Sequence, residues 1–298
     1  MKDVKKPQSH IETLDAKDGY ALIDSGNGEK LERYGAYVLA RPDPQALWRK
    51  RLSAKDWAKA DATFVRVGAQ AKWHKKKDFP PMWTMALHNL YFEIRTTSFK
   101  HTGLFPEHVS MWMWMENKIA SRIAKKKKAP VVLNLFGYTG GATLALARAG
   151  AEVCHVDASK TAIDWARRNA ELSGLTNKPI RWILDDARAF LKREIKRGKK
   201  YDAIVMDPPA FGAAGKGAVW KIEEHFTELL DLARSVLSDD PLFFVVNGYA
   251  SGYSPIAYKN NIEALKLPKG SIEIGELTIK EHHADRLLPC GIFARWSV

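Results

Sequence analysis

The feature that most constrains this fold is a rhythm that begins near residue 130. Short apolar runs at 131–136, 152–157, 180–185, 201–207 and 242–247 read as strands. Between them, 142–149, 159–172, 187–197 and 226–237 read as helices; Ser159 caps the second, and Gly150 and Gly174 close the first two. Strands without polar alternation, separated by helices, predict a parallel sheet covered on both faces. The end breaks the rhythm. Residues 271–279 and 291–298 have no helix pattern between them and predict an antiparallel pair that finishes the sheet.

Earlier residues read differently. Residues 1–18 are polar and are expected to be a flexible N-terminus. Residues 20–24, the turn Ser25-Gly26-Asn27-Gly28 and residues 31–39 predict a hairpin. Arg41-Pro42-Asp43-Pro44 breaks it and opens a helical piece at Gln45, and 63–67 and 90–97 read as further strands. Residues 19–100 are therefore expected to be a small basic α+β module rich in strands, and 101–298 the α/β domain. Pro106-Glu107 starts a helix running to about residue 125, before the basic run Lys125-Lys126-Lys127-Lys128.

Composition narrows the functional classes. The 298 residues carry a net charge of +13, with 46% hydrophobic and 27% charged residues, which excludes a disordered chain. Cys154 and Cys290 are too few for a disulfide scaffold or a multi-cysteine metal site, and His282, His283, His101 and His108 lack zinc spacing, so no metal is expected. No apolar run approaches the ~20 residues a membrane helix needs. Met1-Lys2-Asp3-Val4-Lys5-Lys6 has no apolar signal region. The expectation is a cytoplasmic protein without a membrane partner. Residues 41–100 hold 13 basic and 5 acidic side chains, net +8. Six of the ten tryptophans (48, 57, 73, 83, 112 and 114) lie in or just after that stretch. Basic and aromatic residues interleaved suit phosphates and stacked bases, which makes RNA the expected partner and Trp73, Lys75 and Lys76 candidate contacts. Taken one by one, tryptophans in a small strand-rich module more often form its core.

The chemistry-bearing residues lie at strand ends. Phe136-Gly137-Tyr138-Thr139-Gly140-Gly141 follows the first strand, where glycines let a ligand approach the backbone. The spacing fits neither the dinucleotide fingerprint nor a P-loop. Asp157 stands 20 residues after Gly137, where a carboxylate can accept both ribose hydroxyls of an adenosine cofactor. Asp185-Asp186-Ala187 ends the third strand and can accept from an adenine amine. Asp207-Pro208-Pro209-Ala210-Phe211-Gly212 ends the fourth. An acidic acceptor and a proline-stiffened carbonyl can hold an amine, and Phe211 can stack on a flat base. Methyl transfer to a planar amine needs that combination. Residues 212–217 (Gly-Ala-Ala-Gly-Lys-Gly) form either a lid or a plain flexible loop.

Residues 133–141 with Asp157, Asp186 and 207–211 resemble the class I S-adenosylmethionine-dependent methyltransferases. The ribosomal RNA large-subunit branch is the closer likeness. It is carried by His101-Thr102-Gly103-Leu104-Phe105-Pro106-Glu107-His108, by Asn134-Leu135-Phe136-Gly137-Tyr138-Thr139-Gly140-Gly141, and by Arg286-Leu287-Leu288-Pro289 with 293–296. The resemblance implies a Rossmann-like seven-stranded sheet with an antiparallel last strand. It implies S-adenosylmethionine held by Asn134, Phe136, Gly137, Tyr138, Thr139, Gly140, Asp157, Ala158, Ser159, Asp186, Ala187 and Asp207. Asp207, Pro208 and Phe211 would be catalytic, with His101 and Glu107 beside the substrate, and ribosomal RNA the favoured partner.

Relatives that methylate cytosine at carbon 5 attack with a cysteine at the end of the fifth strand or in the proline motif. Here those places read Asn247-Gly248-Tyr249-Ala250-Ser251 and Asp207-Pro208-Pro209-Ala210. Without a thiolate there, methylation of a base nitrogen is the expectation. A methyltransferase of a small molecule or protein, and a non-catalytic module binding S-adenosylmethionine or RNA, are the competing readings. A nucleotide-dependent oxidoreductase is disfavoured by the glycine spacing.

Overall fold

A computed structural model describes residues 9–15, 19–67, 70–98, 100–213, 219–249 and 252–298. The chain starts with strand β1 (Ser9–Leu14). A five-stranded sheet follows, from β2 (Tyr20–Gly26), β3 (Glu29–Tyr34), β4 (Tyr37–Pro42), β5 (Ala62–Val67) and β6 (Gln70–Lys75), with helix α1 (Ala54–Trp57) before β5. Strands β7 (Met82–Leu87) and β8 (Leu90–Arg95) pair as a hairpin. A 3-10 turn, Pro106–His108, leads into α2 (Val109–Lys126). Then come β9 (Val131–Leu135), α3 (Gly141–Arg148), β10 (Glu152–Asp157), α4 (Lys160–Leu172), β11 (Ile180–Leu184), α5 (Ala187–Lys196) and β12 (Ala203–Met206). A small hairpin of β13 (Phe211–Ala213) and β14 (Val219–Lys221) precedes α6 (Ile222–Ser235), β15 (Phe243–Tyr249), α7 (Pro255–Ala264), β16 (Ser271–Lys280) and β17 (Leu287–Ser297).

Among the described residues the large sheet has eight strands, in the order β1-β16-β17-β15-β12-β9-β10-β11. Strands β9 to β12 and β15 run parallel, and β17 lies antiparallel between β15 and β16. This is the Rossmann-like α/β sheet with an antiparallel last strand, and it carries one strand more than the seven expected. The extra strand is β1, which corrects the flexible reading of 1–18: Ser9–Leu14 pairs in parallel with Ile274–Ile279. The strand was hidden because its polar side chains lie at a sheet edge. Ile11 is 63% exposed, and of its described side chains Leu14 is the one that is buried. Residues 1–8 lie outside the described set.

Two further differences have local causes. The helical piece expected from Gln45 is a run of turns, and a helix forms only at Ala54–Trp57, where Ser53 and Asp56 make a reciprocal capping box. Helix α7 went unread because its apolar periodicity is weak; it begins where the Ser254 hydroxyl caps the chain ahead of Pro255.

The central strands are buried on both faces: Val132, Leu133, Leu135, Ile204, Val205, Phe244 and Val245 have almost no exposed surface. Each such side chain contributes roughly 1.5–3 kcal/mol. The core on one face continues without a break into the first hundred residues, taking in Tyr20, Leu22, Leu39, Phe92 and Ile94. Hairpin β7–β8 docks on α4, where Trp165 Nε1 donates to the Glu93 carbonyl and Glu93 N donates to Asn169 Oδ1. No helix among the described residues is long and apolar enough to cross a membrane.

Candidate active site

A cleft opens at the carboxyl ends of β9, β12 and β15, where open α/β sheets hold ligands. Asn134, Phe136, Gly137, Tyr138 and Thr139 line one side, Asp207 and Asn247 another, and Leu104, Phe105 and His108 the rim.

The loop after β9 is built from unusual backbone. Phe136 and Tyr138 have φ of 57° and 48°, and Gly140 has φ of 90°, so the chain coils tightly into α3. Gly137 has no alternative: a Cβ there would stand 2.4 Å from the His155 ring. Asp157 organises the turn. Its Oδ2 accepts from Tyr138 N and its Oδ1 from Ser159 N, both at 2.8 Å. Burial raises its carboxyl above the usual value, against those two donors. Below lies a buried chain: Asn134 Nδ2 donates to Thr143 Oγ1 at 2.8 Å, and that hydroxyl meets His155 Nδ1 at 2.9 Å. Burial pushes His155 down to about 3, which keeps its ring neutral.

Segment 101–108 clasps this loop. Thr139 Oγ1 donates to the Gly103 carbonyl, and the Phe105 and Tyr138 rings lie 5.7 Å apart. The adjoining Lys100 carbonyl accepts from Arg41, itself buried against Glu32 with contacts of 2.6 and 2.8 Å. Glu107 is buried, which raises its carboxyl, with the charges of His108 and Lys30 opposing. His101 has a lowered value of about 4, from partial desolvation and the cations Arg41, Lys100 and Lys30.

Asp207 ends β12 and faces the cleft. Desolvation raises its carboxyl, and His108, with Nε2 3.5 Å from Oδ2, opposes the rise. Trp220 locks the proline loop: its Nε1 donates to the Pro209 carbonyl, its ring packs on Phe136, and Ile222 N donates to the Ala210 carbonyl. The Pro209 carbonyl is therefore engaged inward, which leaves that of Pro208 as the candidate acceptor.

The structure thus brings together Asn134, Phe136, Gly137, Tyr138, Thr139 and Asp207 in one cleft, with Gly140, Asp157 and Ser159 shaping the loop behind it. Other expected residues stand apart. Asp186 caps α5 by accepting from Ala189 N, Ala187 is buried, and Ala158 is exposed at the head of α4. Phe211 is 68% exposed on β13, outside the cleft lining. Trp73 is not a free stacking platform: its Nε1 donates to the Thr97 carbonyl and its ring packs edge-on against Phe64. Trp57 and Trp112 are buried as well, so in these residues the core reading prevails. Lys75 and Lys76 lie exposed on the module, and Lys76 contacts the Lys59 carbonyl. Residues 214–217 of the 212–217 loop, and 218 after it, lie outside the described set. Cys154 and Cys290 are buried thiols, both raised by that burial, and neither lines the cleft. No cluster of three metal-ligating side chains occurs among the described residues.

Sequence reasoning missed His108, Asn247 and Trp220 as site residues. The first was visible only as part of the 101–108 motif, and the second only as the residue standing where a cysteine would be.

Known proteins resemble this chain in sequence and in fold. A family model described as "Conserved hypothetical protein 95" matches residues 114–229. The ribosomal RNA large subunit methyltransferase K of Neisseria meningitidis is 32% identical over 162 residues, covering 54% of this chain and 44% of that protein. Methyltransferase I of the same subunit from Aeromonas salmonicida is 44% identical over 90 residues, 30% of this chain and 23% of that one. The chain thus spans less than half the length of these curated relatives. A putative SAM-dependent methyltransferase from Streptococcus mutans shares the fold, with a TM-score of 0.72 at 15% identity, over 94% of this chain and 75% of that chain. The crystal structure of the SAM-dependent methyltransferase from Agrobacterium tumefaciens superposes with a TM-score of 0.91 at 40% identity, over 98% of this chain and 95% of that chain. On that near-complete match, the chain belongs to the S-adenosylmethionine-dependent methyltransferases.

Proposed function

We propose that this chain transfers a methyl group from S-adenosylmethionine to a base nitrogen of RNA, with large-subunit ribosomal RNA the favoured substrate. The observation that carries the reading is the placement of Asp207, at the end of a proline-stiffened strand, opposite a glycine loop in one cleft. When bound, S-adenosylmethionine supplies a methyl already activated on a sulfonium.

The residues fit such a ligand. The tight loop at 136–141 lines the cleft and is held in shape from behind, where the His155 ring leaves Gly137 no room for a Cβ. Each oxygen of Asp157 accepts one backbone N–H and keeps acceptor capacity for a ribose hydroxyl. Asp186 and Ala187, following β11 on the same sheet edge, would hold the cofactor's adenine. Asp207 and the Pro208 carbonyl accept the hydrogens of the target amine and aim its lone pair, so the chain contributes alignment and exclusion of water. Asp207 also sits where a proton can leave after transfer, with His108 beside it. Nitrogen as the target is supported by the two thiols, which are buried and held protonated.

RNA as substrate is supported by the named relatives and by the exposed Lys72, Lys75, Lys76 and Lys77. Modified nucleosides in ribosomal RNA from cells with and without the gene, compared by mass spectrometry, test it. One N-methylated nucleoside should vanish with the gene. Loss of 5-methylcytosine would overturn the nitrogen assignment, and an unchanged RNA would return the substrate to a small molecule or protein.

A further inference from the structure

Asn247 lies near the end of β15, 3% exposed, and lines the cleft beside Asp207. Its Nδ2 is 3.4 Å from His108 Nδ1, and the other ring nitrogen of His108 is 3.5 Å from Asp207. Its Oδ1 is buried and has no hydrogen-bond partner among the described residues. Native proteins keep few such atoms, because a buried acceptor without a donor carries its full desolvation cost.

The orientation follows from Asp207. A carboxylate accepts, so the His108 nitrogen facing it, Nε2, carries the hydrogen. In the neutral ring Nδ1 is then an acceptor, and the group opposite it must donate. Only the NH2 end of Asn247 can do so. The amide carbonyl is thereby turned away from His108, with no donor to meet it. Reversing the amide would set Oδ1 against the lone pair of Nδ1 and leave two N–H groups without acceptors.

We propose that Asn247 Oδ1 accepts a hydrogen bond from an N–H of the methyl-accepting substrate, with His108 and Asp207 setting its orientation. This rests on the methyl-transfer reading above. An acceptor fixed at that point admits a substrate edge bearing an N–H and rejects one that presents a carbonyl or an unprotonated ring nitrogen there. His108 is accordingly a positioning residue that couples the recognition of one substrate atom to the charge state of Asp207.

Two measurements test this. In the intact protein at neutral pH, 15N NMR of the histidines, with His108 assigned by its loss in His108→Gln, should show the Nε2–H tautomer accepting at Nδ1. An Nδ1–H tautomer would mean that Asn247 presents its NH2 to the cleft, and would overturn the proposal. In the second, labelled S-adenosylmethionine and large-subunit ribosomal RNA from cells lacking the gene are used to compare wild type with Asn247→Leu. Loss of the acceptor should lower kcat/KM for RNA roughly tenfold to a hundredfold, with S-adenosylmethionine affinity within about twofold. Asn247→Ser, which restores an oxygen on a shorter chain, should fall between the two, and it replaces the leucine variant if that melts early. Unchanged kcat/KM, or cofactor affinity falling in step, would overturn the proposal. Should wild type label no RNA, the RNA reading fails, and the tautomer alone decides the placement of Asn247.

Discussion

On the glycine-loop side of the cleft, short hydrogen bonds tie polar groups to one another, and His155 Nε2 is the buried ring nitrogen there that has no partner among the described residues. Asp157 takes two backbone donors, and Asn134, Thr143 and His155 form a buried chain. On the Asp207 side, contacts are long, 3.4 and 3.5 Å, and one buried oxygen has no partner among the described residues. Short bonds preorganise the first wall, whereas the long contacts of the second leave Asp207 and Asn247 with hydrogen-bonding capacity for a bound molecule.

Substitutions can pull the two walls apart. The largest effect is expected at Asp207. Asp207→Ala should cut methyl transfer by about a thousandfold, the order seen when one preorganised catalytic group is removed. Cofactor affinity by calorimetry should stay within about threefold; a matching loss would erase the distinction between the walls. Asp157→Ala should do the opposite. It unties the Tyr138 turn and removes the ribose acceptor, so S-adenosylmethionine should bind roughly tenfold to a hundredfold more weakly. The KM for substrate measured at saturating cofactor should change little.

Acid should reach the glycine-loop wall first. The folded state holds His155 down near 3, while an unfolded histidine titrates near ~6.5. Between those values the unfolded chain binds the extra proton, so this contribution to stability is complete above about pH 6.5 and is lost as pH falls toward 3. The melting temperature of wild type should therefore drop more steeply from pH 7 to 4 than that of His155→Gln. Parallel curves would remove His155 from the account. The smallest effect lies outside the cleft. Replacing Lys75, Lys76 and Lys77 with alanine should weaken RNA binding severalfold and flatten its salt dependence, each true phosphate contact lowering the slope by about one. Neither wall should respond, and an unchanged salt slope would move the RNA elsewhere.

How much of this was legible in the sequence depended on what holds each element. Strands β9 and β12 announce themselves because burial on both faces leaves short runs that are almost wholly apolar, and glycines punctuate the helices between the strands. Helix α4 was readable to the residue, since Ser159 caps it and Gly174 follows it. Strand β1 was not, because its pairing lies at a sheet edge and comes from β16 at the other end of the chain. The glycine-loop wall and Asp207 were legible because they lie within a few residues of strand ends whose spacing is local. His108 and Asn247 were not: they are 139 residues apart, and only the packing of the 3-10 turn against β15 brings their side chains together. The tryptophans of the basic stretch left both readings open, since composition cannot distinguish an aromatic platform from an aromatic core.

The parallel pairing of β1 with β16 bears on how the molecule is made. Thr13 meets Thr278 at a sequence separation of 265. Strand β1 therefore waits for a partner that is synthesised long after it. Until then the edge of β16 has nothing to pair with, and closure of so long a loop is an intrinsically slow step. Strand β1 acts as a fastener, drawn shut only after the sheet it edges has taken shape.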